Sequence, residues 1–265
     1  MIGGPPETAE PLPEAVAEII GGRPYLTVWR NALNGLTFEV DPGPHRWFVK
    51  WLPANSGIEL SAEAERLPWA ARFTPVPRVL EHGRTDDGEY LATAGLPGAS
   101  AVADRWLAEP RTAVRALGAG LRALHEALPV PRCPFSWEAA ERVALATRRA
   151  DDGAIDPARW NAEHDVDLRA ALRVVADAPD LDHRVVCHGD ACAPNTLIGS
   201  DGRCTGHVDL GELGTADRWA DLAIATWSTQ WNYGPGWEAE LLAAYGVAPD
   251  PDRTRYYRLL WDLGP

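Results

Sequence analysis

The chain lacks the segments that membrane and secreted proteins need. No apolar run among its 265 residues approaches the roughly 20 needed to cross a bilayer. The N-terminal MIGGPPETAEPLPEAV has neither the basic start nor the apolar middle of a signal peptide. We therefore expect a cytoplasmic protein that does not bind membranes.

Cysteine and positive charge are also scarce. The four cysteines form no CxxC pair, which indicates neither a zinc knuckle nor a thioredoxin-like motif and predicts reduced, mostly buried thiols. Lysine and arginine number 25 against 38 acidic residues, so the net charge is -13. This charge would repel nucleic acid and attract a small cationic partner.

The first part of the chain is rich in strand patterns. YLTVWR and LTFEV flank a turn at Asn34 and Gly35, and HRWFVKWL, PRVLEHG and EYLATAG supply further strands. Between them, LSAEAERLPWAARF predicts one helix with Ser61 as its N-cap, although Pro68 argues against a long regular helix.

Helical spacing dominates after the LPG turn. RTAVRALGAGLRALHEAL repeats leucine at helical spacing, and VDLRAALRVVADA is a second amphipathic segment. We predict an α+β fold with two lobes, an antiparallel-sheet lobe with one helix over residues 1–97 and a larger helical lobe over residues 98–265. A cleft between them is the default position for a binding site.

Three polar side chains of the second part suggest chemistry. VVCHGDACAPNTLI places Asp190 five positions before Asn195, and Asp209 follows in GHVDLG after the hairpin-like GSDGRC. Both carboxylates are expected at neighbouring strand ends. An aspartate that accepts a hydroxyl proton, with an asparagine and a second aspartate that bind Mg2+, is what phosphoryl transfer from ATP requires.

Two other interpretations of this region are open. Taken singly, these three residues are ordinary turn formers, but their order and spacing favour phosphoryl transfer. A metal hydrolase would instead use histidine, cysteine and carboxylate ligands, at His188, Asp190, Cys192, His207 and Asp209. That spacing matches no common zinc motif.

The same segments resemble a known family. The catalytic-loop pattern of kinases, H-x-D followed by asparagine, is present, and CHGDACAPNTLI with HVDLGELGTADRWADLA is similar to the aminoglycoside O-phosphotransferases. Those antibiotic kinases have a protein-kinase-like fold. The similarity extends to ELSAEAERLPW, VPRVLEHG, LHEALPVPRCPF and RYYRLL, and CHGDACAPN and CPF are most similar to the streptomycin 3''-phosphotransferases.

The resemblance implies catalytic roles. Asp190 would be the base that accepts the proton of the acceptor hydroxyl, and Asn195 and Asp209 would bind Mg2+ beside ATP. His188 would brace the loop, and Asp221 would be a structural acid that fixes it.

The resemblance also implies a nucleotide site in the first lobe. Lys50 would contact the phosphates of ATP and pair with Glu63, or with the nearby Glu65. A single glycine replaces the usual Ser-Gly pair of the phosphate loop, but backbone N–H groups there would still cradle phosphate. The backbone groups expected to bind nucleotide, in the phosphate loop and the hinge, belong to Asn34, Gly35, Thr93 and Ala94.

A cationic antibiotic is the substrate that the resemblance implies. Streptomycin carries guanidinium groups, which bind carboxylates in defined geometry and stack on aromatic rings. Glu212, Asp262 and Trp231 are the candidates for these contacts. We expect a monomer that phosphorylates streptomycin at 3''. The alternatives are 3' transfer to kanamycin- or neomycin-type antibiotics, a kinase for another small alcohol, and a non-enzymatic binding module.

Overall fold

The computed structural model describes residues 3–4, 6, 10–54, 56–157, 160 and 166–264. The chain divides into two compact units. The first contains residues 1–97 together with 207–211, and the second contains residues 98–206 and 212–265. The expected domain boundary after residue 97 stays a prediction, and the sequence does not indicate that residues 207–211 join the first unit.

The first unit is an antiparallel sheet with two described helices. Its strands are β1 (Gly3–Gly4), β2 (Tyr25–Asn31), β3 (Leu36–Val40), β4 (Trp47–Pro53), β5 (Val79–Arg84) and β6 (Gly88–Ala94), and its helices are α1 (Glu14–Ile20) and α2 (Ser61–Ala70). The strand order is β1-β2-β3-β4-β6-β5. The alternating residues Leu36, Phe38 and Val40 are buried with Val16 and Ile20 of α1, which explains why LTFEV forms a strand with one apolar face.

Helix α2 begins differently from the prediction. Ser61 is its first residue and not its N-cap, and Leu60 before it makes no side-chain cap. The Glu89 carboxylate of β6 instead accepts the N–H groups of Leu60 and Ser61 at 3.0 and 2.8 Å. Burial opposes the charge of Glu89, but hydrogen bonds from His82 and the Leu60 N–H outweigh it and lower the pKa of Glu89. Pro68 disturbs only the last turn, because α2 ends two residues later.

The second unit is mainly helical. Its strands are β7 (Ala99–Ser100), β8 (Arg184–Cys187), β9 (Thr196–Ile198), β10 (Cys204–His207, whose last residue belongs to the first unit) and β11 (Gly214–Asp217). Its α-helices are α3 (Asp104–Ala108), α4 (Pro110–Ala127), α5 (Ala139–Asp151), α6 (Leu168–Ala176), α7 (Trp219–Tyr233), α8 (Glu238–Tyr245) and α9 (Pro251–Asp262). Strand β9 lies between β7 and β10, and β8 pairs with β11.

Helix α4 is the amphipathic helix that the leucine spacing predicts. Its leucines Leu117, Leu121 and Leu124 are at most 4% exposed. Helix α8 packs closely against α4 because Gly118 has no Cβ, and a Cβ there would collide with the Leu241 carbonyl. The predicted α+β class is confirmed. Among the helices described, none is long and apolar enough to cross a membrane.

Candidate active site

Lys50 is held by two carboxylates within the first unit. Its Nζ lies 2.7 Å from Glu63 Oε2 and 2.9 Å from Asp209 Oδ1. Burial opposes the charge of Lys50, but the Asp209 and Glu63 carboxylates outweigh it and raise the pKa of the ammonium well above its ordinary value. Of the two candidate partners, Glu63 is the one that pairs with Lys50, and Glu65 is exposed. The ammonium is therefore charged at neutral pH and fixed in place.

Asp209 has a backbone conformation that the sequence does not indicate. Its φ is 65°, in the left-handed region that few residues other than glycine adopt. Such conformations cost about 1–3 kcal/mol and persist where the surroundings hold them, most often at functional sites. The bond from Lys50 is one restraint that holds the Asp209 side chain.

Asn31 closes the turn that was predicted to bind phosphate. Its Oδ1 accepts the N–H groups of Leu33 and Gly35 at 2.9 and 2.7 Å, and its carbonyl accepts the Asn34 N–H at 3.2 Å. Asn34 has a φ of 61°. The N–H groups of Leu33, Asn34 and Gly35 are thus already engaged, so a phosphate could bind them only by displacing Asn31.

Thr93 and Ala94 end strand β6. Thr93 pairs with Phe48 of β4, and the Ala94 N–H donates to the Arg78 carbonyl at 2.9 Å. Because this N–H already has an acceptor, any contact of Ala94 with adenine would have to use its carbonyl. The sequence does not reveal this, since Arg78 belongs to the segment before β5.

In the second unit, the loop after β8 brings Asp190 and Asn195 into contact. Asn195 Nδ2 donates to Asp190 Oδ2 at 3.1 Å and to the Asp190 carbonyl at 3.0 Å. Both acceptors are oxygens, so the NH2 group of Asn195 must face Asp190 and its amide oxygen is the atom suited to a cation. Cys192 also donates its thiol hydrogen to Asp190 Oδ1, at 3.0 Å.

Helix α7 anchors the backbone of this loop. Asp221 is fully buried and accepts the N–H groups of His188 and Gly189 at 2.6 and 2.8 Å. Ser228, two turns along the same face of α7, accepts the Ala193 N–H at 2.8 Å. The predicted structural role of Asp221 is confirmed. Ser228 was missed, because a serine inside an apolar helix carries no signal of its distant partner.

The metal-hydrolase interpretation gains no support from the second unit. His188 Nδ1 accepts the Asp190 N–H at 3.3 Å and so braces the loop. Within the described part of the chain, the group of side chains with metal-ligand spacing is His125, Cys187 and Asp221. There His125 Nε2 bonds Asp221 at 2.9 Å, and burial raises the pKa of the Cys187 thiol, so the group supports the core.

Two of the predicted substrate residues lie near the end of α9. Trp231 is 43% exposed and contacts the rings of Trp227 and Trp261, with centroids 4.8 and 6.2 Å away. Asp262 follows Trp261, ends α9 and is half-buried. The rings of Trp227, Trp231 and Trp261 thus form a partly exposed aromatic surface.

Glu212, the third of these residues, already has a cationic partner. Its Oε2 lies 2.7 Å from Arg142 Nη1 of α5, although its side chain is 46% exposed. Arg142 stacks on Trp137 at 4.8 Å, and Gly264 just after α9 approaches the same guanidinium. A substrate guanidinium that binds Glu212, as the sequence predicts, would therefore have to compete with Arg142 for the carboxylate.

Residues 28–257 match the family described as the phosphotransferase enzyme family. The chain belongs to this family. The phosphotransferase is 38% identical to the aminoglycoside 3'-phosphotransferase of Streptomyces fradiae, over 78% of this chain and 81% of the relative. It is 35% identical to the streptomycin 3''-kinase of Streptomyces griseus, over 93% of this chain and 95% of the relative.

A solved structure shows that the likeness of this phosphotransferase extends to the fold. The aminoglycoside phosphotransferase APH(3'')-Id from Streptomyces rimosus superposes with a TM-score of 0.76 at 29% identity, covering 94% of this chain and 95% of that one. Its complex with ADP and streptomycin gives a TM-score of 0.64 at 30% identity, over 86% and 89%. The predicted relation to the aminoglycoside phosphotransferases and the kinase-like fold are confirmed.

Proposed function

We propose that this phosphotransferase transfers the terminal phosphoryl group of ATP to a hydroxyl group of an aminoglycoside, namely the 3'' hydroxyl of streptomycin. The observation that carries this conclusion is the Asp190 carboxylate, bonded by Asn195 in a loop that Asp221 anchors. A carboxylate held in this way can orient one acceptor hydroxyl and accept its proton. That is the main task that phosphoryl transfer leaves to a protein side chain.

Mg2+ is the cation that this reaction needs, and the side chains suit it. Asn195 offers an amide oxygen because its NH2 group is bonded to Asp190. Asp209 offers a carboxylate on a side chain that is 51% exposed. Such hard oxygen atoms are the ligands Mg2+ prefers. When bound, the ion would neutralise charge on the phosphates of ATP.

Lys50 is the proposed cationic contact for the ATP phosphates. An ammonium has three N–H donors, and the bonds to Glu63 and Asp209 use two of them, so a third can donate to a phosphate oxygen. Because both carboxylates fix Lys50, little side-chain entropy is lost when phosphate binds. The proposed backbone contacts to the nucleotide are at Asn34 and Gly35, once Asn31 is displaced, and at Thr93 and Ala94, where Ala94 would use its carbonyl.

A cationic substrate fits the charge of the chain and the surface near the end of α9. The net charge is -13, which favours encounter with a polycation. Trp231 is 43% exposed and is the proposed stacking partner for a sugar or guanidinium plane, and the proposed carboxylates are Asp262 and, in competition with Arg142, Glu212. The Streptomyces griseus relative is a streptomycin 3''-kinase that matches 93% of this chain, and the Streptomyces rimosus complex contains streptomycin. These two likenesses favour streptomycin.

A 3'-phosphotransferase for kanamycin- or neomycin-type antibiotics is the second candidate. The Streptomyces fradiae relative has this activity in its name and shares 38% identity, although over only 78% of this chain. Both candidates use the same ATP chemistry. A panel of antibiotic substrates therefore distinguishes them.

A substrate panel tests the proposal. ATP labelled in its terminal phosphate would be incubated with streptomycin, kanamycin, neomycin and hygromycin, with the Asp190→Ala variant as control. We expect label in streptomycin with the wild type and none with the variant. Label in kanamycin or neomycin alone would favour 3' transfer. Label in no antibiotic would contradict the proposed function and favour another small alcohol or a binding module.

A further inference from the structure

Two donors meet the carboxylate of Asp190, one on each oxygen. Asn195 Nδ2 donates to Oδ2 at 3.1 Å, and the Cys192 thiol donates to Oδ1 at 3.0 Å. Cys192 is 4% exposed, so water does not compete strongly for its hydrogen. The asparagine belongs to the catalytic-loop pattern of kinases, but the thiol contact lies outside that pattern.

The backbone around Asp190 is fixed by other bonds. Asp221 holds the N–H groups of His188 and Gly189 before it, and Ser228 holds the Ala193 N–H after it. These backbone bonds do not restrain the side-chain torsions of Asp190. The χ2 torsion of an aspartate is broad, so backbone restraint alone does not set the plane of the carboxylate.

We propose that Cys192 is a positioning residue, whose thiol sets the plane of the Asp190 carboxylate relative to the acceptor hydroxyl. A thiol is a weak donor, so its bond restrains rotation without preventing the carboxylate from accepting a proton. The thiol bond holds Oδ1 and the bond from Asn195 holds Oδ2, so together they restrain the rotation of the carboxylate about χ2. The role rests on the proposed function, because it has meaning only if Asp190 is the base.

Simple packing is the competing explanation for a buried cysteine. The two explanations differ in what they require at this position. Packing requires volume, which valine also supplies. Positioning requires a donor, which serine retains at nearly the same size and which valine and alanine lack. The backbone of Cys192 has φ -67° and ψ 148°, which a β-branched residue adopts without strain.

The test compares the variants Cys192→Ser, Cys192→Val and Cys192→Ala with the wild type. Cys133→Ala is the matched control, because the Cys133 thiol also bonds an oxygen two residues away, but that oxygen is the Phe135 carbonyl, at 3.5 Å. kcat and KM would be measured with whichever antibiotic the panel identifies. Antibiotic affinity without nucleotide would be measured by calorimetry, and folding by thermal unfolding.

We expect kcat to fall by about tenfold or more in the valine and alanine variants, because small misplacement of a catalytic group is costly. KM for both substrates and the antibiotic affinity should not change. The serine variant keeps a donor and Cys133→Ala leaves the Asp190 bonds intact. Both should therefore keep kcat within about threefold of the wild type, a change no larger than one ordinary hydrogen bond produces.

Two results would overturn the role of Cys192. One is a valine variant as active as the wild type, which would show that only volume matters. The other is a serine variant as impaired as valine. If the alanine variant fails to fold, the serine and valine pair still decides. A wild type that phosphorylates no antibiotic would instead overturn the proposed function itself, and the role of Cys192 with it.

Discussion

Replacing Glu63 by glutamine removes one of the two charges that hold Lys50. Glu63 is the more buried and the closer partner, because its side chain is 4% exposed and its Oε2 lies 2.7 Å from Nζ, whereas the Asp209 side chain is 51% exposed at 2.9 Å. A hydrogen bond to a charged group contributes about 1.5–3 kcal/mol, and glutamine keeps a neutral acceptor, so about half of that should be lost. About 1.4 kcal/mol corresponds to a tenfold change in affinity.

Steady-state kinetics with Glu63→Gln should therefore show a KM for ATP raised about 4- to 12-fold, with the KM for the antibiotic unchanged. Glu65→Gln is the control, because Glu65 lies two residues along α2 and makes no ion pair among the described residues. A second readout is available because Lys50 is the only lysine of the chain. Removing a carboxylate should lower its pKa and speed its acylation at a fixed pH, with the N-terminal amine as reference.

Equal ATP KM values for Glu63→Gln and Glu65→Gln would refute this reasoning. They would mean that the ion pair with Lys50 plays no part in binding the nucleotide. An effect of Glu65→Gln alone would support the other partner that the sequence allows. Unchanged acylation of Lys50 in Glu63→Gln would contradict the cause given for its raised pKa.

Three further predictions concern the base, the support of α2 and the aromatic surface. Asp190→Ala should lower kcat at least about 100-fold and leave ATP affinity, measured by calorimetry, nearly unchanged; full activity would exclude Asp190 as the base. Glu89→Gln should lower the free energy of unfolding in urea by about 1–2 kcal/mol at pH 7, the scale of a lost helix cap. The folded state lowers the pKa of Glu89, so the charged carboxylate stabilises the fold fully above its unfolded pKa of about 4.3. This stabilisation is lost as the pH falls further, so the difference in unfolding free energy between wild type and Glu89→Gln should shrink at low pH. A gap that stays constant with pH would contradict this. Trp231→Ala should raise the KM for streptomycin about 2- to 5-fold with no change for ATP, and an unchanged streptomycin KM would remove Trp231 from the substrate site.

The sequence predicts those parts of the fold and site that depend on local pattern. The alternation of LTFEV and the leucine spacing of α4 follow from burial of one face, and both are confirmed. The pairing of Lys50 with Glu63 follows from the family resemblance and is present in the structure. That the protein is cytoplasmic and monomeric stays a prediction.

Contacts between residues far apart in the chain account for what the sequence does not predict. Glu89 caps α2 from a strand 28 residues after Ser61, so Ser61 is wrongly expected to cap it. Glu212 is paired with Arg142, 70 residues earlier, which no local pattern indicates. The left-handed backbone of Asp209 is equally invisible in the sequence, because aspartate rarely adopts it without tertiary restraint.

The position of the phosphate on the product tests the central claim most directly. Streptomycin would be incubated with the wild-type protein, ATP and Mg2+, and the purified product examined by mass spectrometry and by phosphorus–proton correlation NMR. The account predicts one added phosphate, coupled to the proton at 3''. An unmodified antibiotic, or a phosphate coupled to a proton at any other carbon, would contradict it.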